Sequence, residues 1–223
     1  MSLVLHQVFQ NEHFAVVQKP AGVLSVAGRT GLADPRPVLG PLLQAQIGKR
    51  VWPVHRLDVE VSGLVLFALN TEAHRAGSLW FEHHQIQKTY EALSASLEFN
   101  EFISVGAEQT WECLLLRGKK RAYEGATGKP SLTKAILRGP HATLPFAVWE
   151  LRPVTGRSHQ LRYEMFRHQH PIVGDVLYGS LQKCRDEVAI ALAAVKLDFP
   201  QEAQTKWGLP AALSLPANWT LLF

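Results

Sequence analysis

Asp58, in the run Val54-His55-Arg56-Leu57-Asp58, is the residue of this chain best placed to do chemistry. It stands beside Arg56, shortly after Pro53, and just ahead of the apolar run Leu64-Val65-Leu66-Phe67-Ala68-Leu69. An uninterrupted apolar run with β-branched and aromatic members predicts a buried strand. A carboxylate at the lip of such a strand meets the two influences that tune ionisation, burial and a neighbouring cation. The plainer alternative is an Arg56–Asp58 pair capping a surface turn. Two other segments carry candidate groups. Gln87-Lys88-Thr89-Tyr90 sets an aromatic ring close to a lysine on a predicted strand. In Gly156-Arg157-Ser158-His159-Gln160-Leu161-Arg162, helical spacing would put His159, Arg162 and Phe166 on one face, with Arg162 able to point inward. A buried guanidinium needs an acid partner, because an isolated buried charge is prohibitively costly.

Other chemistries fall away on spacing. Ser131-Leu132-Thr133-Lys134 matches one motif of the penicillin-binding enzymes, but neither Ser-Asp-Asn nor Lys-Thr-Gly follows it. Gly156-Arg157-Ser158-His159-Gln160 lacks the second glycine that a nucleophile elbow needs for its sharp turn. The pairs His83-His84 and His168-Gln169-His170 suggest a metal, yet adjacent histidines on a helix point about 100° apart and cannot easily share one ion. Cys113 and Cys184 lie far apart, which excludes a Cys-x-x-Cys zinc or redox site and suits a reducing compartment. There is no glycine-rich phosphate loop and no dinucleotide fingerprint. What remains is acid–base or nucleophilic chemistry by a carboxylate, with no metal and no cofactor.

The elements that would position these groups follow from periodicity and turn signals. Phe14-Ala15-Val16-Val17 reads as a short strand ended by the turn Lys19-Pro20-Ala21-Gly22. Residues 28–41 read as a loop, and residues 42–47 as a short helix before Gly48. Thr71 is the expected N-cap of a helix from Glu72 to about His84, with Ala73, Ala76, Trp80 and Phe81 at helical spacing. Residues 88–97, 111–117, 131–138 and 146–152 read as strands, a helix runs from near Gly156 to about His168, and residues 188–199 read as a final buried strand pair or strand-bend. Strands and helices do not alternate regularly, so the expectation is one α+β domain over residues 1–223 with a largely antiparallel sheet.

A chain of 223 residues, 47% hydrophobic and 19% charged, has the composition of a soluble globular protein with a sizeable core. Its formal charge of +4 permits a polyanionic partner without demanding one. No apolar run approaches the ~18 residues of a membrane span, and the first residues do not resemble a signal peptide. The expected compartment is the cytoplasm.

Together the candidate segments resemble the RluA family of RNA pseudouridine synthases. The resemblance runs from Lys19-Pro20-Ala21-Gly22 through His55-Arg56-Leu57-Asp58 and Ser62-Gly63 to Lys88 and Tyr90. It continues through Gly156-Arg157-Ser158-His159-Gln160-Leu161-Arg162 to Gly174-Asp175 and Tyr178-Gly179. The stretches at 24–29 and 127–130 lean towards RluA itself, and residues 81–88 towards the tRNA-specific TruC branch. Three positions depart from the pattern. Val61 replaces the usual Thr, whose hydroxyl could brace the catalytic loop. Glu164 replaces a frequent His, and Ala193 stands in a common Leu-His-Ala context.

The resemblance implies the pseudouridine synthase fold, a mixed and largely antiparallel sheet in two subdomains flanking a cleft, without the S4-like domain many relatives carry. It implies isomerisation of uridine in structured RNA, a stem-loop of tRNA and/or 23S ribosomal RNA; the expected state is a monomer. Asp58 would be the catalytic carboxylate, Arg162 its cationic partner, and Tyr90 the ring stacked on the flipped uracil. Arg56 would fill the gap left by the flipped base, with Lys88, Arg157, His159 and Gln160 around the nucleotide. The run Arg117-Gly118-Lys119-Lys120-Arg121 reads either as a solvated hairpin tip or as an RNA contact through Lys119, Lys120 and Arg121. The rival reading is a noncatalytic RNA-binding protein that keeps the fold.

Overall fold

A computed structural model describes residues 3–27, 34–95 and 104–223, so Gly28 and Arg29 of the stretch compared with RluA lie outside the described residues. The chain divides into two units, residues 1–87 with 194–217 and residues 88–193 with 218–223.

In the first unit, alternation and apolar runs build strands β1 (Gln7–Gln10), β2 (Phe14–Lys19), β3 (Trp52–Pro53) and β4 (Ser62–Ala68), with helices α1 (Leu39–Ile47) and α2 (Thr71–Glu82). Strand β4 is the predicted buried strand: every residue from Gly63 to Ala68 is buried. Antiparallel β2 lies beside it, with Lys19 opposite Gly63. Both strands pack Phe14, Val16, Leu64 and Leu66 against Trp80 of α2 and Trp207. Phe14 and Trp80 have ring centroids 5.5 Å apart. Helix α1 begins inside the segment expected to be a loop. Pro41 falls in its first turn, where the backbone N–H has no intrahelical partner, so proline is tolerated there. Helix α2 is capped by Asn70, not Thr71: the Asn70 carboxamide oxygen accepts from the Ala73 N–H at 2.8 Å.

The second unit contains β5 (Gln87–Ser94), β6 (Glu108–Arg117), β7 (Ala122–Glu124), β8 (Lys129–Pro140), β9 (Ala147–Pro153) and α3 (Gln160–Arg167). Its strands follow the order β5-β9-β8-β6-β7, and every neighbouring pair is antiparallel. One sheet face carries Trp111, Trp149 and Leu151, all buried, and α3 covers it with Leu161, Arg162, Glu164 and Met165. Phe166 does not share that inward face, being 41% exposed. Ser131 and Lys134 point to opposite sides of β8: the serine is buried, while the lysine pairs with Glu108 at 2.9 Å. They cannot act as a nucleophile–base pair.

Strand β10 (Leu192–Asp198), helix α4 (Gln201–Trp207) and strand β11 (Ala212–Ser214) complete the chain. Most of β10 belongs to the first unit and lies next to β4, with β11 antiparallel on its other flank. Gly63 explains why this contact is close. Its φ is +114°, and a Cβ built there would sit 2.3 Å from the Ala194 carbonyl oxygen. Gly63→Ala is therefore expected to destabilise the first unit by more than about 3 kcal/mol. A lowered midpoint of chemical denaturation, followed by tryptophan fluorescence, checks it.

Candidate active site

The first unit carries Asp58 on the loop that feeds β4. The backbone of this loop is fastened at Val54, Leu57, Asp58, Val59 and Val61. Val54 N–H donates to Leu66 O at 3.2 Å, and Leu66 N–H donates back to His55 Nε2 at 3.0 Å. His55 must then carry its proton on Nδ1 when neutral, and its ring stacks on Phe81 with centroids 4.4 Å apart. The Ser25 hydroxyl bridges Leu57, donating to its carbonyl at 2.8 Å and accepting from its N–H at 2.9 Å. Gly22 N–H donates to Val59 O at 2.8 Å, and Val61 N–H closes a turn onto Asp58 O at 3.2 Å. The Asp58 residue itself is half-buried.

Lys19 is the strongest tie. Its ammonium is fully buried and donates to Val23 O at 2.7 Å, Pro20 O at 3.0 Å and Val59 O at 3.1 Å. Burial pulls its pKa down to about 8, while the carboxylates of Glu60 and Asp58 oppose that shift. A cation within electrostatic reach of Asp58 is thus a lysine in the same unit, the first residue of the Lys19-Pro20-Ala21-Gly22 turn. The departure at Val61 is compensated here. Val61 is buried in the core, and Ser25 and Lys19 brace the loop that a threonine hydroxyl was expected to hold.

This arrangement sets a pH dependence with opposite signs for activity and stability. As pH rises through about 8, Lys19 loses its charge and one of three donors, so any activity that depends on the Asp58 loop should fall. Between about 8 and the ordinary lysine value of 10.5 the unfolded chain holds the extra proton, so this group makes the fold more stable as pH rises. A pH–rate profile beside denaturation at pH values on either side of 8 separates the two, and Lys19→Met should remove the alkaline limb from the former.

The second unit, described by itself, carries Tyr90 and Arg162. Arg162 is buried, as its helical position predicts, and its acid partner there is Asp175: Nε and Nη2 donate to the two carboxylate oxygens at 2.7 and 2.8 Å. The guanidinium also lies 5.3 Å from the centre of the Tyr178 ring. Tyr178 is fixed in turn, its hydroxyl accepting from Ala122 N–H at 2.6 Å and lying 3.1 Å from His159 Nδ1. Asp175 and Tyr178 are the site residues that the sequence reading passed over, although both stand in the Gly174-Asp175 and Tyr178-Gly179 motifs. The demand for an acid beside a buried Arg162 is met by Asp175, thirteen residues further along the chain, and not by the nearer Glu164.

Gln160 requires a correction. It was expected to contact RNA, but it is buried and its amide is filled from within. The carbonyl oxygen accepts from Thr155 Oγ1 and Arg157 N–H at 2.8 and 2.9 Å, and the NH2 donates to Leu132 O and Thr133 Oγ1 at 3.0 and 2.9 Å. It locks the 155–160 turn onto β8, which also explains why α3 starts at Gln160 and not near Gly156. Lys88 is half-buried beside that turn, its Nζ 3.8 Å from where Gly156 would carry a side chain, and burial lowers its pKa. Tyr90 lies opposite Leu151, so it shares the sheet face that α3 covers. Arg157 donates from Nε to Pro130 O at 3.0 Å, while Arg56, Lys119, Lys120 and Arg121 are exposed.

The departure at Glu164 is also rebuilt locally. Its carboxylate is wholly buried and accepts from Cys113 Sγ at 3.1 Å and from Arg167 at 3.0 Å. Burial alone would raise its pKa, but His168, Cys113 and Arg167 outweigh burial and hold it below the usual carboxylate range. Both cysteines are free and buried, with thiols pushed up to about 12 at Cys113 and about 11 at Cys184, so neither is poised as a nucleophile.

Residues 13–168, which carry Asp58, Tyr90 and Arg162, match the RNA pseudouridylate synthase family. The chain belongs to that family. Its similarity to a tRNA pseudouridine synthase C of Pectobacterium carotovorum subsp. carotovorum is 36% identity over 97% of this chain, which spans 59% of that relative's length. A dual-specificity RNA pseudouridine synthase RluA of Pasteurella multocida is 33% identical over 90% of this chain and 89% of its own length. These relatives put the chain in the RluA group of the family. Among solved structures, human RNA pseudouridylate synthase domain containing 1 superposes with a TM-score of 0.73 at 26% identity, covering 98% of this chain and 86% of that one. A second human protein, RNA pseudouridylate synthase domain containing 4, matches in fold with a TM-score of 0.69 at 19% identity, over 97% and 90% of the two chains.

Proposed function

We propose that this member of the family converts uridine to pseudouridine in a folded stem-loop of tRNA, with a ribosomal RNA hairpin as a second substrate. The observation that carries the reading is the bracing of the Asp58 loop by a buried ammonium, because a loop tied to a buried charge holds a carboxylate in one place at the entrance to β4. Pure RNA binding has no use for that arrangement. The names of the bacterial relatives, one a tRNA enzyme and one of dual specificity, support the choice of RNA.

In this reading Asp58 starts the reaction, either by attack or by removing a sugar proton, and uracil leaves C1′. The detached ring turns over and C5 joins C1′, after which the C5 proton is released. Tyr90 offers its ring to the uracil through the detached stage. Arg162, held by Asp175 and Tyr178 within its own unit, is the cation this reading assigns to the reaction. Extruding the nucleotide costs a few kcal/mol, and Arg56 takes the place the base vacates. The enzyme acts as a monomer in the cytoplasm, with no metal and no cofactor.

Tritium release from RNA labelled at uridine C5 tests this, with bulk tRNA and ribosomal RNA assayed separately. Release from tRNA is the expected result, and release from ribosomal RNA alone would move the target. Binding of both pools without release from either would favour the noncatalytic RNA-binding reading.

A further inference from the structure

We propose that the outer face of the β6–β7 hairpin is a stacking platform for an unpaired nucleotide of the RNA, centred on Tyr123. This rests on the reading of the substrate as RNA and adds a contact away from the target uridine. On β7, Ala122 turns inward to a small cluster with Cys113 and Leu115, so its neighbour Tyr123 faces out and is 48% exposed. Its cross-strand neighbour is Leu116.

Two glycines decide how the ring lies. A Cβ at Gly118 would stand 3.2 Å from Tyr123 Cε1, and one at Gly125 would stand 3.9 Å from Cε2 on the opposite edge. A Cβ at Gly125 would also meet the Leu116 side chain at 2.6 Å. The ring therefore rests along backbone that lacks side chains at both ends, leaving its other side to solvent. Backbone beneath the ring leaves it fewer orientations than a ring free on all sides, which lowers the ordering cost of a stacking contact.

The charges around the ring favour a polyanion. Arg117, Lys119, Lys120 and Arg121 are all exposed, and the turn that presents them is closed by Gly118 N–H donating to Arg121 O at 3.0 Å. Among the described residues no carboxylate forms an ion pair with any of the four. Glu124, the acid next to Tyr123, is directed to Arg167 at 3.7 Å. An exposed aromatic ring on a hairpin that carries four exposed cations suits a stacked base with its phosphates on the lysines and arginines.

The test uses bulk tRNA with the full chain and its Tyr123→Ala, Tyr123→Phe and Lys119→Ser/Lys120→Ser variants, each first shown to melt like the wild type. Tyr123→Ala should raise Kd and KM by about five- to tenfold, the loss of one stacked base, and leave kcat and the salt slope unchanged. Tyr123→Phe should stay within twofold of wild type. The double lysine variant should lower the logarithmic salt slope by about 1.4 to 1.8. A Tyr123→Ala variant that binds within twofold of wild type overturns the platform, as does Tyr123→Phe behaving like alanine. Competition by polyglutamate but not by polyuridylate would assign the face to an acidic protein and also overturn it. Failure of the enzymatic reading looks different: wild type would release no tritium, and the platform would still be decided by the binding comparison.

Discussion

Arg162→Met is expected to remove about 3–5 kcal/mol of folding stability, the cost of leaving a buried acid without its partner. The pair it breaks is almost inaccessible, with side chains 2% and 1% exposed, and both of its hydrogen bonds are charge-assisted. Exposed pairs set the scale for comparison. Arg138–Glu150, at 2.5 Å but with the arginine 45% exposed, should contribute under about 1 kcal/mol. Asp175→Leu should therefore be about as damaging as Arg162→Met, and Arg138→Ala should be hardly noticeable. The double variant Arg162→Met/Asp175→Leu removes both charges together and should regain most of the lost stability. It should not regain activity, because the fixed cation is gone. Urea denaturation of the four variants, with tritium release measured at the same temperature, separates the structural share of Arg162 from its catalytic one. Recovery of activity in the double variant would show that Arg162 only holds the fold.

The second large effect is expected at Asp58. Asp58→Asn keeps the shape of the side chain and removes the charge, and the rate should fall by at least about 10²–10⁴-fold, the range of a lost general base or nucleophile. The loop should remain in place, because the ties at Leu57 and Val59 run through Ser25, Gly22 and Lys19 and none uses the Asp58 carboxylate. The melting temperature and the affinity for tRNA should thus stay close to wild type. One side effect is directional. Asp58 helps hold the Lys19 pKa up, so the variant should depress it further.

How much of this was legible in the sequence differs from element to element. The strand at 62–68 and the helix at 71–82 were readable because a fully buried run and an amphipathic spacing leave strong local patterns. Strands β1 and β11 and helix α4 were not, being short and on the flank of a sheet or, for α4, only two turns long. Spacing also misled over Phe166, since helical periodicity gives a face but not its outer limit. In the site, the residue that could react was visible as a carboxylate in an improbable place. The residues that hold it were harder to see. Lys19 looks like any turn lysine until its three carbonyl acceptors are placed, and these come from residues 20, 23 and 59. Gln160 looked like a contact residue because an amide can always bind something, and only the filled set of four bonds shows that it braces a turn.

Cleavage of the glycosidic bond of uridine in RNA is expected to depend on Asp58. Single-turnover tritium release, with enzyme in excess over C5-labelled tRNA, tests it for wild type and Asp58→Asn side by side, with binding measured on the same samples. The expected result is full release by wild type and none above background by the variant, at equal occupancy of the RNA. Release by Asp58→Asn at a rate near that of wild type would contradict the account.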